Sequence, residues 1–161
     1  MLLDANLIVA GSIAGTALAP TLTGQAVTAT AVSTNTIDLS VARDMGGGDD
    51  MPKLRALVTA TFATLTALTI EVIVADDAAL TSNVTVVGSS GAILANQLLI
   101  GERFNVEINP RLAATARLGR RYLGARFTVT APNASTGAIF AEFGLQTQDG
   151  LKSYPSGFAV L

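Results

Sequence analysis

The sequence contains no histidine, no cysteine and no tryptophan among its 161 residues. Without histidine or cysteine, the chain cannot build a Ser-His-Asp triad or a Cys-His pair. It also cannot supply the usual ligands of zinc or haem, and it cannot form a disulfide. Paired carboxylates remain as a route to catalysis. We expect no catalytic residues, no metal site and no cofactor, and a protein that is not an enzyme.

Charge is also scarce, at 14% of residues with a net charge of −2, whereas a typical domain has about 25% charged residues. Nucleic-acid binders carry a dominant basic surface, so we expect no nucleic-acid partner. The charge is unevenly distributed: residues 1–50 carry five acidic residues and one basic, and residues 101–161 carry four and seven. Two interpretations stay open, namely solvated loops and strand faces, or an acidic and a basic end that dock on different partners or copies.

No segment has the pattern of a membrane span or an export signal. Residues 5–19 are apolar, but Asp4 precedes them and no Lys or Arg does, whereas a signal peptide begins with a basic region. Residues 56–70 are uncharged but too short to cross a bilayer. We therefore expect no membrane partner.

Alternating apolar residues predict seven to nine strands. Residues 54–75 predict a hairpin with a turn near 63–65. Residues 103–109 alternate cleanly, residues 121–130 alternate again, and residues 139–148 form the last long strand. Gly88–Gly91 predicts a turn. We expect Glu107 and Glu142 on exposed strand faces, where charges are ordinary.

This pattern predicts an all-β fold, an antiparallel jelly roll or β-sandwich with an extended apolar N-terminal arm. We expect residues 1–24 to form the arm and residues 25–161 to form the jelly-roll domain with a C-terminal tail. Half of the residues are apolar. Either the domain buries this excess in its own core, or part of it covers a surface used in assembly.

Several short motifs carry a resemblance to a known family. Residues 31–48 read AVSTNTIDLSVARDMGGG, and they are followed by Gly101–Phe104, Arg121–Gly124, Ser135–Gly137, Asp149 and Tyr154–Phe158. In their order and spacing these resemble the capsid cement (decoration) proteins of short-tailed bacteriophages, the family typified by the Bordetella phage cement protein. The match runs from about residue 25 to the end. Residues 5–24 and 49–53 depart from the family pattern.

The resemblance implies a non-enzymatic structural virion protein on the outer surface of an icosahedral phage head, made in the host bacterial cytoplasm. It implies two partners, the major capsid protein with its HK97-like fold and the chain itself as a homo-oligomer, dimer or trimer. Such proteins clamp neighbouring capsid subunits and stabilise the shell. The alternatives are a virion-surface β-sandwich module that binds a glycan or receptor, and a minor head or tail component.

Within that frame, the candidate contact residues fall in four parts of the chain: the arm, the 31–48 motif, the basic segment and the C-terminal tail. Ser33, Asn35 and Asp38 either make polar contacts or fix turns, and we favour turns. The candidates for capsid or partner contact are Leu2, Leu3, Leu7, Ile8, Val9, Arg43, Asp44, Arg117, Arg120, Arg121, Tyr154 and Phe158.

Overall fold

The computed structural model describes residues 5–16, 19–39, 53–109 and 120–144. Apart from single 3₁₀ turns at Ala5–Leu7 and Ala95–Gln97, its regular elements there are β-strands, which confirms the all-β prediction. The strands are β1 (Ile8–Ala10), β2 (Ser12–Thr16), β3 (Ala19–Thr23), β4 (Gln25–Ala26), β5 (Ala31–Val32), β6 (Ile37–Asp38), β7 (Lys53–Ala63), β8 (Ala67–Ala75), β9 (Thr85–Leu94), β10 (Arg103–Val106), β11 (Tyr122–Thr130) and β12 (Thr136–Gly144).

Ten of these strands form two antiparallel sheets. Sheet I has the order β1–β12–β7–β10, with β4 also paired to β12; sheet II has the order β5–β11–β8–β9, with β6 also paired to β11. If β5 and β6 count as one strand, the described residues from β4 onward contain eight strands. The first, eighth, third and sixth lie in sheet I, and the second, seventh, fourth and fifth lie in sheet II. This is the strand order of a jelly roll, as the sequence predicted.

One apolar core fills the space between the two sheets. The alternating residues of β7, β10 and β11 point into it, as predicted from their spacing, and Phe127, Leu68 and Ile139 are fully buried there. Since apolar burial contributes roughly 25 cal/mol per Å², this core is the main source of stability in a chain without disulfides.

The predicted hairpin over residues 54–75 is wrong. β7 and β8 have the expected inward faces, but they lie in different sheets: Val58 is the register partner of Ile139, and Ile70 is the partner of Phe127. The short connection at Thr64 carries the chain from one sheet to the other. Two strands that bury one face each show the same alternation whether they pair side by side or face each other across a core.

The predicted turn at Gly88–Gly91 is also wrong, because these residues lie inside β9. The register between β8 and β9 shifts twice there, and the Ser90 hydroxyl accepts a hydrogen bond from the Ile70 N–H at 3.0 Å. A side chain at Gly88 would meet the Glu107 carbonyl oxygen at 2.3 Å. The glycine therefore allows the chain after β10 to cross close to β9, in an irregular strand of the kind that bulges produce.

The predicted arm is partly built into the sandwich. β1 pairs with β12, and Ile8, Val9 and Ala10 are all buried. β2 and β3 form a separate two-stranded sheet. The sequence shows no strand period here because three consecutive buried residues do not alternate and glycines interrupt the short strands.

Both long sides of the sandwich are joined by backbone hydrogen bonds between the sheets. On one side the Asn35 N–H donates to the Val9 carbonyl oxygen at 2.8 Å, and on the other the Asn109 N–H donates to the Val87 carbonyl oxygen at 2.7 Å. Open sheet edges invite pairing with other chains. These bonds close part of each edge within the domain itself.

A second, smaller apolar cluster covers the outer face of sheet II. Ile73 and Ala75 pack there against Leu80, which belongs to the loop after β8. Asp77 holds that loop by accepting hydrogen bonds from the N–H groups of Thr81 and Ser82 at 2.9 and 2.7 Å. Part of the outer face of sheet II is therefore buried beneath the loop after β8.

Leu80→Ala should lower the free energy of unfolding by about 2–4 kcal/mol, because it opens a cavity over a buried cluster. Chemical denaturation would measure the change. Ala79→Ser, at the exposed neighbouring position, is the control and should stay within about 0.5 kcal/mol of the parent protein. Equal stabilities for the two variants would contradict the covering role of Leu80.

The outer face of sheet I holds an acid that was expected in solvent. Glu142 is only 3% exposed, so that prediction is wrong. Its register partners are Ile8 on β1 and Arg55 on β7. Burial raises the pKa of Glu142, and the nearby positive charge of Arg55 offsets this only in part. The ionised carboxylate therefore makes the folded state less stable than a neutral group would.

Glu142→Gln should raise the free energy of unfolding at neutral pH. The folded state holds the Glu142 proton more tightly than the unfolded chain does, so the parent protein loses stability as the pH rises from the ordinary carboxyl range to the raised pKa. Below the ordinary carboxyl range, the pH-dependent difference in the free energy of unfolding between parent and variant should vanish. The other carboxyl groups contribute equally in both proteins, so their effect cancels in this difference. Denaturation at several pH values would measure it. Glu102→Gln, at an exposed carboxyl, is the control, and a variant less stable at neutral pH would contradict the prediction.

Candidate interaction surfaces

Two of the predicted basic contact residues are engaged in ion pairs within the domain. Arg121 makes two hydrogen bonds to the Asp38 carboxylate, at 2.7 and 2.6 Å, and its guanidinium lies 5.3 Å from the centre of the Tyr122 ring. Arg120 bonds the Asp76 carboxylate at 3.0 Å. These contacts join the residues directly before β11 to β6 and to the loop after β8.

The ion pairs also fix the protonation states of their members. The hydrogen bonds to Asp38 raise the pKa of Arg121. Hydrogen bonds from Asn83 and Arg120 lower the pKa of Asp76. The positive charge of both arginines is therefore neutralised locally, and neither is the free basic group that a docking end would need. For these two residues the structure favours the interpretation of solvated loops and strand faces.

The polar residues of the 31–48 motif hold the fold together where the structure describes them. The buried Ser33 hydroxyl accepts a hydrogen bond from the Ala125 N–H and donates to the Asn35 carbonyl oxygen, both at 3.0 Å. A side chain at Gly124 would meet this hydroxyl at 2.9 Å. The favoured structural role of Ser33 and Asn35 agrees with these contacts, which also explain the glycine of the Arg121–Gly124 motif.

The arm residues differ in their availability to a partner. Ile8 and Val9 pack inside the domain, so they are withdrawn as surface contacts, and Leu7 is half-buried. This part of the arm therefore packs on its own domain and not on a partner. The other predicted contact residues, Leu2, Leu3, Arg43, Asp44, Arg117, Tyr154 and Phe158, lie outside the described residues.

The hairpin of β2 and β3 is the first surface available for a partner. Ser12, Ala14 and Thr21 are exposed, and residues 5–37 contain no charged side chain. Gly11 and Gly24 stand at its base, and a Cβ placed on Gly11 would lie only 3.1 Å from the Gly24 Cα. The hairpin thus begins and ends at nearly the same point of the domain.

A second surface is an apolar tip, defined by the side chains of Leu94, Leu99 and Ile100, which are 53%, 49% and 68% exposed. They are the exposed large apolar residues of the part of the chain that the structure describes. Sequence reasoning missed them because residues 92–101 have no clear period. The tip is bordered by uncharged sequence, since residues 78–101 carry no charge.

Two kinds of site were not found in the described parts of the chain. Histidine, cysteine, aspartate and glutamate side chains there do not come together in groups of three or more that could hold a metal ion. Over the same residues, no helix has the length and apolar character needed to cross a membrane.

Comparison with known proteins identifies the family. No curated protein matches this chain. The model of the Bbp16 family matches residues 22–143, which is well over half of the chain and includes every jelly-roll strand from β4 to β11 and nearly all of β12. The family name indicates a Bordetella phage protein, in agreement with the phage resemblance of the sequence motifs. The chain belongs to the Bbp16 family.

Proposed function

We propose that this protein is a non-enzymatic structural component of a phage virion that binds the outside of the icosahedral head and clamps neighbouring major capsid proteins. Membership of a phage protein family supports the virion part of the proposal. The jelly-roll fold supports a structural part only by analogy, because one fold can serve many functions.

The observation that carries the docking part is the uncharged hairpin of β2 and β3. It belongs to neither large sheet, and an isolated two-stranded hairpin is only marginally stable in water. Its exposed residues are small or carry hydroxyl groups, so a partner surface can approach the backbone closely without having to neutralise a charge. We infer that the hairpin lies on the capsid protein.

The clamping mechanism follows from repetition. A single hairpin offers a small contact, which is weak on its own. A protein with two or more such contacts on adjacent subunits converts later binding events into intramolecular ones, and the combined affinity rises steeply. Repeated over a shell, such contacts resist the separation of neighbouring subunits.

Co-sedimentation of the purified protein with mature, expanded shells of its cognate major capsid protein tests the proposal. Saturable binding at a fixed ratio per capsid subunit is the expected result, and the ratio distinguishes a two-fold from a three-fold position. Absence of binding well above micromolar concentrations would overturn the proposal and favour a glycan-binding or tail-associated protein. Shells of an unrelated capsid protein are the control.

Deletion of residues 12–23, with Gly11 joined to Gly24, should weaken shell binding at least ten-fold while the domain stays folded. The join is possible because the two glycines lie side by side, and consecutive Cα atoms need a spacing of about 3.8 Å. Shell binding and thermal unfolding would be measured together.

Removal of residues 1–20 is the informative contrast, since it also removes the buried Val9 and should destabilise the domain itself. A hairpin deletion that leaves shell binding unchanged would exclude the hairpin as the docking element. It would leave open attachment of the domain through another surface.

A further inference from the structure

The charged side chains of the described residues gather toward one end of the sandwich. Strand β7 begins beside Gly144 and ends beside Thr136. The Gly144 end, which we call the charged end, carries three of the four described ion pairs, namely Lys53–Glu107, Arg120–Asp76 and Arg121–Asp38. The fourth pair, Arg126–Glu71, joins the middle residues of β11 and β8.

The opposite end, which we call the uncharged end, is formed by residues 27–30, 61–66, 92–101 and 130–136. These four segments contain no acidic or basic residue, and the apolar tip belongs to the third of them. Most of their other exposed side chains carry a hydroxyl or an amide group. Four stretches that lie far apart in the sequence thus form one surface without charge, and Glu102 follows at its border.

Hydrogen bonds tie the four segments of the uncharged end into one rigid surface. The Thr64 hydroxyl donates to the Asn133 carbonyl oxygen at 2.8 Å. The Ile100 N–H donates to the Thr61 hydroxyl at 3.0 Å, and this bond holds the apolar tip against β7. A backbone bond of 2.9 Å joins the first segment to the last. Binding of a partner here would therefore cost the backbone little conformational freedom.

We propose that the uncharged end lies against the major capsid protein beside the hairpin of β2 and β3, with the apolar tip at the centre of this second contact. The charged end then points away from the shell. The inference rests on the proposed function and deepens it, because it assigns the orientation of the domain on its partner.

Position is the reason for choosing the capsid protein as the partner. Gly24, which closes the hairpin, lies against β7, and a Cβ on Gly24 would overlap the Thr59 hydroxyl. One residue earlier on β7, the Val58 carbonyl oxygen accepts a hydrogen bond of 2.9 Å from the Gly101 N–H. The hairpin and the segment that carries the tip therefore meet β7 at adjacent residues. A partner surface that covers the hairpin lies close to the tip as well.

The chemistry of the uncharged end favours a protein surface of the same kind. The centres of protein–protein contacts are depleted of charged residues, and a charge that is buried there without a partner costs free energy. Hydroxyl, amide and apolar groups need no ionic partner. We therefore expect the uncharged end to meet a patch of apolar and uncharged hydrogen-bonding groups on the capsid protein.

Size favours the use of both surfaces together. A standard interface covers roughly 800 Å² per partner, and a two-stranded hairpin or three apolar side chains cover much less. The hairpin and the uncharged end on one partner form a larger contact than either does alone. Loss of the tip should therefore weaken shell binding even when the hairpin is intact.

Co-sedimentation of full-length variants with cognate shells, measured as a dissociation constant, tests the inference. Asn96 is exposed within the uncharged end, in the 3₁₀ turn next to Leu94. Asn96→Arg and Asn96→Glu should each raise the dissociation constant about ten-fold or more, because a charge of either sign would be buried without a partner. Ala79→Arg and Ala79→Glu, at an exposed position of the charged end, are the matched controls and should bind like the parent.

A second variant tests the apolar tip without adding a charge. Ile100→Ser should also raise the dissociation constant about ten-fold, because it removes an apolar side chain from the centre of the contact. This side chain is 68% exposed in the free domain, so thermal unfolding of the variant should match that of the parent. Circular dichroism would confirm that every variant is folded.

Three results would overturn the inference while the parent still binds shells. The first is shell binding that the Asn96 and Ile100 variants leave unchanged. The second is an opposite effect of the two charges at Asn96, which would show that the facing surface is itself charged. The third is a change in self-association, seen by sedimentation velocity, in place of a change in shell binding, which would assign the end to a second copy. Absence of shell binding by the parent would overturn the proposed function and this inference with it.

Discussion

The packing of sheet I against sheet II through one apolar core is the constraint on which the rest of the structure depends. The chain has no disulfide to supply stability, so the burial of alternating apolar residues from both sheets must do it. Jelly-roll connectivity follows this requirement, because it places neighbouring strands of the chain, such as β7 and β8, on opposite sides of the core. The Asn35–Val9 and Asn109–Val87 bonds then join the two sheets along their sides.

Much of this fold could be predicted from the sequence, for a physical reason. A strand with one buried face must alternate, so the inward residues of β7, β8, β10 and β11 are visible in the chain itself. Pairing partners are not visible in this way, which is why β7 and β8 were wrongly predicted to pair. Gly88–Gly91 misled for a related reason: glycine marks a turn and a close backbone approach equally well, and only the crossing of Glu107 over β9 decides between them.

The surface was less predictable than the core because ionic partners come from distant parts of the sequence. Arg121 and Asp38 are 83 residues apart, and nothing local indicates that they form a pair. The arginines of this part of the chain therefore left two interpretations open, a solvated surface and a basic docking end, and only the ion pairs of Arg120 and Arg121 favour the first for these two residues. Glu142 was wrongly predicted for a different reason, because strand alternation correctly placed it on the face opposite the core but could not show that this face is covered.

Because several charged groups are paired within the domain, its uncharged surfaces are the stronger candidates for binding a partner. Among the described residues, four ion pairs neutralise charges within the domain. The uncharged hairpin has no charge of its own for long-range attraction, so its binding must rest on short-range contact of apolar and hydroxyl groups. The hairpin of β2 and β3 has this character. On the proposed shell many copies lie close together, and one hairpin bound to a capsid subunit raises the effective concentration of the other contacts in the same assembly. Contacts that are weak singly then hold neighbouring capsid subunits together, because all of them must open before the subunits separate.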